Sequence, residues 1–124
     1  MHQYVGNPSA NATFSPGVEV HSLARWLSIS GQVPRDANGN VPDGIEAQAE
    51  LVWTNLAAVL SAGGMTVKDL VEVTIYLINR DDGPIFDRVR RKWLEGHKPA
   101  STKVIVVGLA DARMLCEVQA TAAI

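Results

Sequence analysis

The chain has 124 residues, 47% of them hydrophobic and 19% charged, with a formal net charge of −2. This is the composition of one folded domain over residues 1–124, long enough to bury a sizeable core, and it excludes a disordered chain. The slight acidic balance offers no global field for nucleic acid, and no stretch approaches the roughly 20 apolar residues that span a bilayer.

Residues 1–16 read as loop, punctuated by Gly6, Pro8 and Pro16. They lack the basic start and apolar run of a secretory signal, so the formal sequon Asn11-Ala12-Thr13 carries no weight. The lone Cys116 lies in an apolar segment and has no intramolecular disulfide partner. It reads as a small buried hydrophobe in a reducing, cytoplasmic setting. Val18–His21 and Ala24–Ser30 read as two strands around a turn at Ser22-Leu23. In the second, Leu27 and Ile29 share one face, and Trp26, Ser28 and Ser30 the other. Pro34–Gly44 is dense in turn formers and predicts a surface loop or hairpin tip.

Asp43-x-x-Glu46 has the form of a capping box. Ile45, Ala49, Val52, Leu56, Val59 and Leu60 follow at helical spacing, with Glu46, Gln48, Glu50, Thr54 and Asn55 on the polar side. Gly63-Gly64 ends the pattern with residues that tolerate a left-handed cap. Thr66–Asp69 resembles another capping box, sufficient for one turn. From Val71 the period falls to two, with Val71, Val73, Ile75 and Leu77 opposite Glu72, Thr74 and Tyr76, which predicts a half-buried strand. Asp82-Gly83-Pro84 opens a second helix whose apolar face carries Ile85, Phe86, Val89 and Trp93, and Gly96 ends it. Lys98-Pro99-Ala100 breaks to extended geometry. Ser101 and Thr102 then lead into Val104–Val107, a β-branched run that reads as a strand buried on both faces. After a turn over 108–112, Met114–Ala122 forms the last strand. It places Leu115, Glu117, Gln119 and Thr121 on one face and Met114, Cys116, Val118 and Ala120 on the other.

The order β-β-α-β-α-β-β predicts an α+β fold, a mixed sheet with both helices packed on one face. The opposite face would carry Glu72, Thr74, Tyr76, Glu117 and Gln119 among apolar residues. That predicts a homo-oligomer closed around it, against the alternative of a monomer with a wetted sheet face.

These residues resemble the RidA family, also called YjgF or L-PSP, over nearly the whole chain. The resemblance rests on Ser30-Gly31-Gln32 ending a strand, Gln48 in the long helix, and Asn55–Leu60 running to Gly63-Gly64. Val71–Leu77, Pro99-Ala100 and the strand containing Glu117 complete it. It implies a chorismate-mutase-like fold and a homotrimer around a sheet-lined barrel, with small-molecule clefts between subunits. It also implies hydrolysis of reactive enamines and imines, such as 2-aminoacrylate, to keto acids and ammonia, with no cofactor or metal.

The departures from that family define the candidate site. Deaminating members carry an arginine directly after Pro-Ala that grips the substrate carboxylate, and this chain has Ser101. Such charged hydrogen bonds are worth roughly 1.5–3 kcal/mol, so the replacement should weaken binding by about 10- to 100-fold. The family's acid on the last strand aligns with Gln119, although Glu117, two residues earlier, is acidic. A tyrosine common in the N-terminal segment aligns with Phe14, and an asparagine of the second helix with Arg90. Arg90 falls on the flank of the apolar face, where it would either supply the missing positive charge or extend to solvent.

Other chemistry finds little support. Ser101, Thr102 and His97 lack a nucleophile elbow or a third triad member. His2, His21 and His97 lack metal-ligand spacing. No phosphate-cradling glycine motif occurs. The basic run Asp87–Trp93 reads as a solvated helix face before it reads as an RNA contact, although some family members are described as ribonucleases. Trp26, Trp53 and Trp93 read as core or interface packing. The expected function is a small-metabolite hydrolase with an altered anion site. Phe14, Ser30, Gly31, Arg90, Ser101 and Thr102 would contact ligand, and Gln119 or Glu117 would orient water. The alternative is a trimer that binds a metabolite without turnover.

Overall fold

The computed structural model describes residues 2–124. The element order is β1 His2–Val5, β2 Gly17–Val20, β3 Trp26–Gln32, α1 Ile45–Ala62, β4 Leu70–Leu77, α2 Gly83–Leu94, β5 Ala100–Ile105 and β6 Cys116–Ala123. Single 3-10 turns at Val67–Asp69 and Arg80–Asp82 lead into β4 and α2. The main sheet has the order β3-β6-β4-β5, with β4 and β5 parallel and the other pairs antiparallel. The α+β expectation of two helices against one face of a mixed sheet therefore holds.

The core lies between the sheet and the helices. Val52, Trp53, Leu56 and Leu60 of α1 and Phe86 and Leu94 of α2 meet Val73, Ile75 and Leu77 of β4 and Cys116, Val118 and Ala122 of β6. Alternation along each strand selects these residues. Burial pushes the Cys116 thiol up to about 12. That matches a packing role rather than a reactive one.

Helix α1 ends in a Schellman motif: Met65 N–H donates to Leu60 O, Gly64 N–H donates to Ser61 O, and Gly64 has φ +72°. Its start differs from expectation. Gly44, at φ +87°, is the N-cap, and no side chain caps the helix, so Asp43 sits one residue too early to do so. Gln48 is not a solvated residue but 1% exposed. Its amide donates to Pro42 O and Arg113 O and accepts from Leu115 N–H, tying two loops to the helix. Thr66 and Asp69 do form the capping box expected of them.

Two further expectations are corrected. Residues 2–5 are a strand rather than loop, paired antiparallel with β2. The β-branched run is not a strand buried on both faces. β5 starts at Ala100, ends at Ile105 and lies at the sheet edge, with Val104 38% and Ile105 42% exposed. A hydrophobic run pairs with whatever the topology offers, and here only β4 is beside it.

Candidate functional site

Strand register sorts the expected site residues into two groups. On β5, Lys103 reaches across to Asp87 of α2, with Nζ 2.6 and 2.7 Å from the carboxylate oxygens, so it points to the helix side of the sheet. Ser101, two residues earlier, shares that side and pairs with buried Val73. Thr102 points to the open side beside Thr74. The two hydroxyls that begin this strand therefore do not meet on one face.

Around Ser101 the helix side is closed by the segment before β2. Ser15 N–H donates to Pro99 O at 3.1 Å, and Ser15 Oγ donates to Lys98 O at 2.5 Å, so residues 13–15 lie along the start of β5. Arg90 lies one turn beyond Asp87 on α2, and its contacts are with Thr13 and Phe14, in the segment that docks beside the start of β5. Arg90 is 2% exposed. Its guanidinium donates to Thr13 O at 3.2 Å and lies 5.9 Å over the half-exposed Phe14 ring. Its Nε has no partner, and it forms no ion pair among the described residues. Burial pushes the guanidinium down to about 10, partly opposed by Asp87, and it stays charged at neutral pH. Arg90 is therefore a desolvated cation with no carboxylate in ion-pair contact, its charge offset only in part by Asp87.

The second group lies on the open face. Between the pairs Ile29–Ala120 and Gln32–Val118, β3 places two residues, Ser30 and Gly31, against one, Gln119. This is a β-bulge, a device that redirects side chains beside sites. Glu117 lies against the bulge, with its carboxylate packed onto the bare Gly31 Cα. Across β6, Thr74 pairs with Gln119 and Tyr76 with Glu117. Tyr76 Oη–H donates to Gln119 Oε1 at 3.0 Å. One row of the face thus reads Thr102, Thr74, Gln119 and the bulge, and the next reads Val104, Tyr76, Glu117. Sequence reasoning placed Tyr76 on this face but gave it no role. Pairing the two half-buried strands in antiparallel register is the signal that joins it to Gln119.

The basic run of α2 is engaged throughout. Arg88 pairs with Glu46, Lys92 with Glu50, and Arg91 donates to Asn11 O. These contacts leave no stripe of uncommitted cations for a phosphate backbone. Trp93 Nε1–H donates to Glu50, Trp53 is fully buried, and Trp26 is 59% exposed on the open face. No group of three or more His, Cys, Asp or Glu side chains suited to a metal occurs among the described residues. Among the described residues, no helix is long and apolar enough to cross a membrane.

The family model described as Endoribonuclease L-PSP matches residues 5–124. A RutC family protein of Pyrococcus horikoshii is 29% identical over 124 residues, covering 98% of each chain. A 2-iminobutanoate/2-iminopropanoate deaminase of Dermatophagoides farinae is 27% identical over 107 residues, 85% of this chain and 84% of that one. The crystal structure of the Rid family protein YyfB from Yersinia pestis superposes with a TM-score of 0.85 at 29% identity, covering 99% of this chain and 98% of that one. With the family model spanning residues 5–124 and the fold shared over nearly the whole chain, the protein belongs to the endoribonuclease L-PSP family, the Rid proteins.

Proposed function

We propose that the protein is a Rid-type hydrolase of small anionic imines or enamines. It would work in clefts between the subunits of a homotrimer, with Arg90 as its anion site. The observation that carries this reading is Arg90 itself, a buried guanidinium with one backbone acceptor, no ion-paired carboxylate and only a partial offset from Asp87. A desolvated charge of this kind is costly unless an anion joins it. It contacts the segment that docks beside Ala100 and Ser101, where the resemblance puts the deaminating members' arginine, and in this reading the positive charge comes from the helix instead of the strand.

The division of the site residues supports a cleft between subunits. Phe14, Arg90 and Ser101 belong to the helix side and the β5 edge, while Ser30, Gly31, Thr102, Glu117 and Gln119 belong to the open face. One copy cannot fold both groups around one ligand. A β5 edge laid against a neighbour's open face brings them together.

In that cleft Arg90 holds the carboxylate. Water adds to the imine carbon while the C=N electron pair moves to nitrogen, which takes up a proton, and Glu117 accepts the proton that water loses. The carbinolamine then collapses. Glu117 hands its proton to the amine nitrogen and takes the hydroxyl proton, the C–N electron pair leaves with nitrogen as the C=O bond forms, and ammonia departs from a 2-oxo acid. A metabolite-binding trimer without turnover is the second reading, favoured by the amide of Gln119 where the family carries an acid.

The deciding assay generates 2-aminoacrylate or 2-iminopropanoate in situ and measures release of ammonia and keto acid. The expected result is release that falls in Arg90→Gln and is restored by adding Ser101→Arg. Saturable binding without release supports the second reading, and release unchanged by Arg90→Gln overturns the anion site.

A further inference from the structure

Arg90 is 2% exposed, so a ligand reaches it only past whatever covers it. The cover is the connection between β1 and β2. Thr13 O accepts from the guanidinium, and the Phe14 ring lies over it. Both ends of this connection are pinned. Val5 pairs with Gly17, Gly6 packs against the Pro16 ring, and the buried Ser15 is bonded to Pro99 O and Lys98 O. Residues 7–14 between them differ, because none of them is buried. Among the described residues, their hydrogen bonds to the rest of the chain all come from three cationic side chains. Lys98 Nζ donates to Ser9 O at 2.9 Å and to Ala10 O at 3.4 Å, Arg91 to Asn11 O at 2.8 Å, and Arg90 to Thr13 O at 3.2 Å. The other cations of α2, Arg88 and Lys92, meet carboxylates of α1 instead. A segment with no buried side chain and a few exposed bonds opens at low cost.

We infer that residues 7–14 are a self-inhibiting strap: Lys98 and Arg91 latch it shut, and its Thr13 carbonyl occupies Arg90 until a ligand carboxylate takes that place. This rests on the reading of Arg90 as the anion site. The exchange at Arg90 is favourable, because a charged acceptor binds a guanidinium more strongly than a neutral carbonyl does. Only molecules with the strap lifted bind ligand, and the apparent affinity is lowered by the fraction that is lifted. Arg91 and Lys98 therefore oppose the binding of an anion, although both are cations. A simple electrostatic role for the same two residues has the opposite sign.

The test titrates 2-oxobutanoate calorimetrically into the full-length wild type, Lys98→Met, Arg91→Met, the double variant and Arg90→Gln. The salt is set at about 0.15 M, where charges more than roughly 8 Å apart are largely screened. Amide exchange of residues 9–14 is followed by mass spectrometry on the same preparations. Each latch removed should raise the affinity about two- to tenfold, the scale of one hydrogen bond lost from the closed state. Exchange in residues 9–14 should quicken, and the melting temperature should barely move. An affinity that is unchanged or lower in the double variant overturns the strap, as does a gain without faster exchange. The anion site still stands in those cases if Arg90→Gln binds more weakly than the wild type. Equal binding by the wild type and Arg90→Gln overturns the anion site and the strap with it, and so does binding by none of the proteins.

Discussion

Gly31 lies so close to Glu117 that a Cβ built on it falls 2.9 Å from Glu117 Cδ and nearer still to Oε2. Its φ is not in the left-handed region, so the backbone alone does not demand glycine there. What demands it is the carboxylate, which occupies the space a side chain would take. The obstructing atoms are the far end of a flexible side chain, so they can swing aside at low cost. Gly31→Ala should therefore destabilise by less than about 1 kcal/mol, within the range of mild substitutions. Turnover should still fall about tenfold or more, because general-base catalysis contributes on that scale and depends on placement. Thermal melts and the ammonia-release assay, run on the same preparation, separate the two effects.

Arg90→Met should do the reverse. Arg90 carries a desolvation cost that Asp87 offsets only in part, so an apolar side chain of similar length removes that cost. Against that stand one hydrogen bond to Thr13 O and the contact with Phe14, the latter worth about 0.5–1 kcal/mol. The expected net is unchanged or slightly raised stability. Affinity for a small carboxylate should drop by about 10- to 100-fold, the value of a charged hydrogen-bonded pair. Denaturant unfolding and calorimetric titration with 2-oxobutanoate check the two halves. A large loss of stability would show that Arg90 serves the fold.

Much of this was legible in the sequence. The change of period at Val71 and the alternation from Met114 onward marked two central strands and sorted their faces correctly. What escaped was set by partners distant in the chain. His2–Val5 carries little strand character of its own and is a strand because β2 lies beside it. Gln48 falls on the polar side of α1 by spacing, yet three hydrogen bonds from two loops bury it. Ser101 and Thr102 look like a pair when read along the chain and are divided by the pleat of the sheet. Arg90 was placed near the correct boundary, but its degree of burial depends on residues 13–15, whose docking beside β5 no local pattern announces.

The exposed edge predicts assembly. Beyond Ala100, β5 has no strand on its outer side among the described residues, and Val104, Ile105 and Val107 are 38%, 42% and 107% exposed. Such an edge invites pairing or aggregation unless something covers it. The expected native mass is three times the 13.3 kDa protomer. Val104 flanks Tyr76 on the open face, so Val104→Glu should place a charge in the seam. It should lower the mass by light scattering without changing the far-ultraviolet circular dichroism. A wild type with the mass of one protomer would overturn the trimer.

His97 predicts how stability depends on pH. Its Nε2–H donates to Leu70 O at 2.7 Å, its Nδ1 accepts from Tyr4 Oη–H at 3.0 Å, and Tyr4 Oη accepts from Lys98 N–H at 2.9 Å. This chain of bonds holds β1 to the turn before β5 and uses the neutral imidazole. Burial lowers the pKa below its usual 6.5. The Leu70 carbonyl and Asp69 act against that, and His2 and Lys68 act with it. Between the lowered folded value and 6.5, the unfolded chain binds more protons than the folded one, so stability rises with pH there. The contribution is complete above about 6.5 and is lost as pH falls through that window. Two other groups whose folded values are depressed, Glu50 held by Lys92 and Asp111 held by Arg113, titrate below this range and do not mask it. The melting temperature should therefore decline from pH 7.5 to pH 5.5 in the wild type. His97→Gln, which keeps a donor for Leu70 O, should flatten that decline. A slope unchanged by the substitution would assign the acid sensitivity to another group.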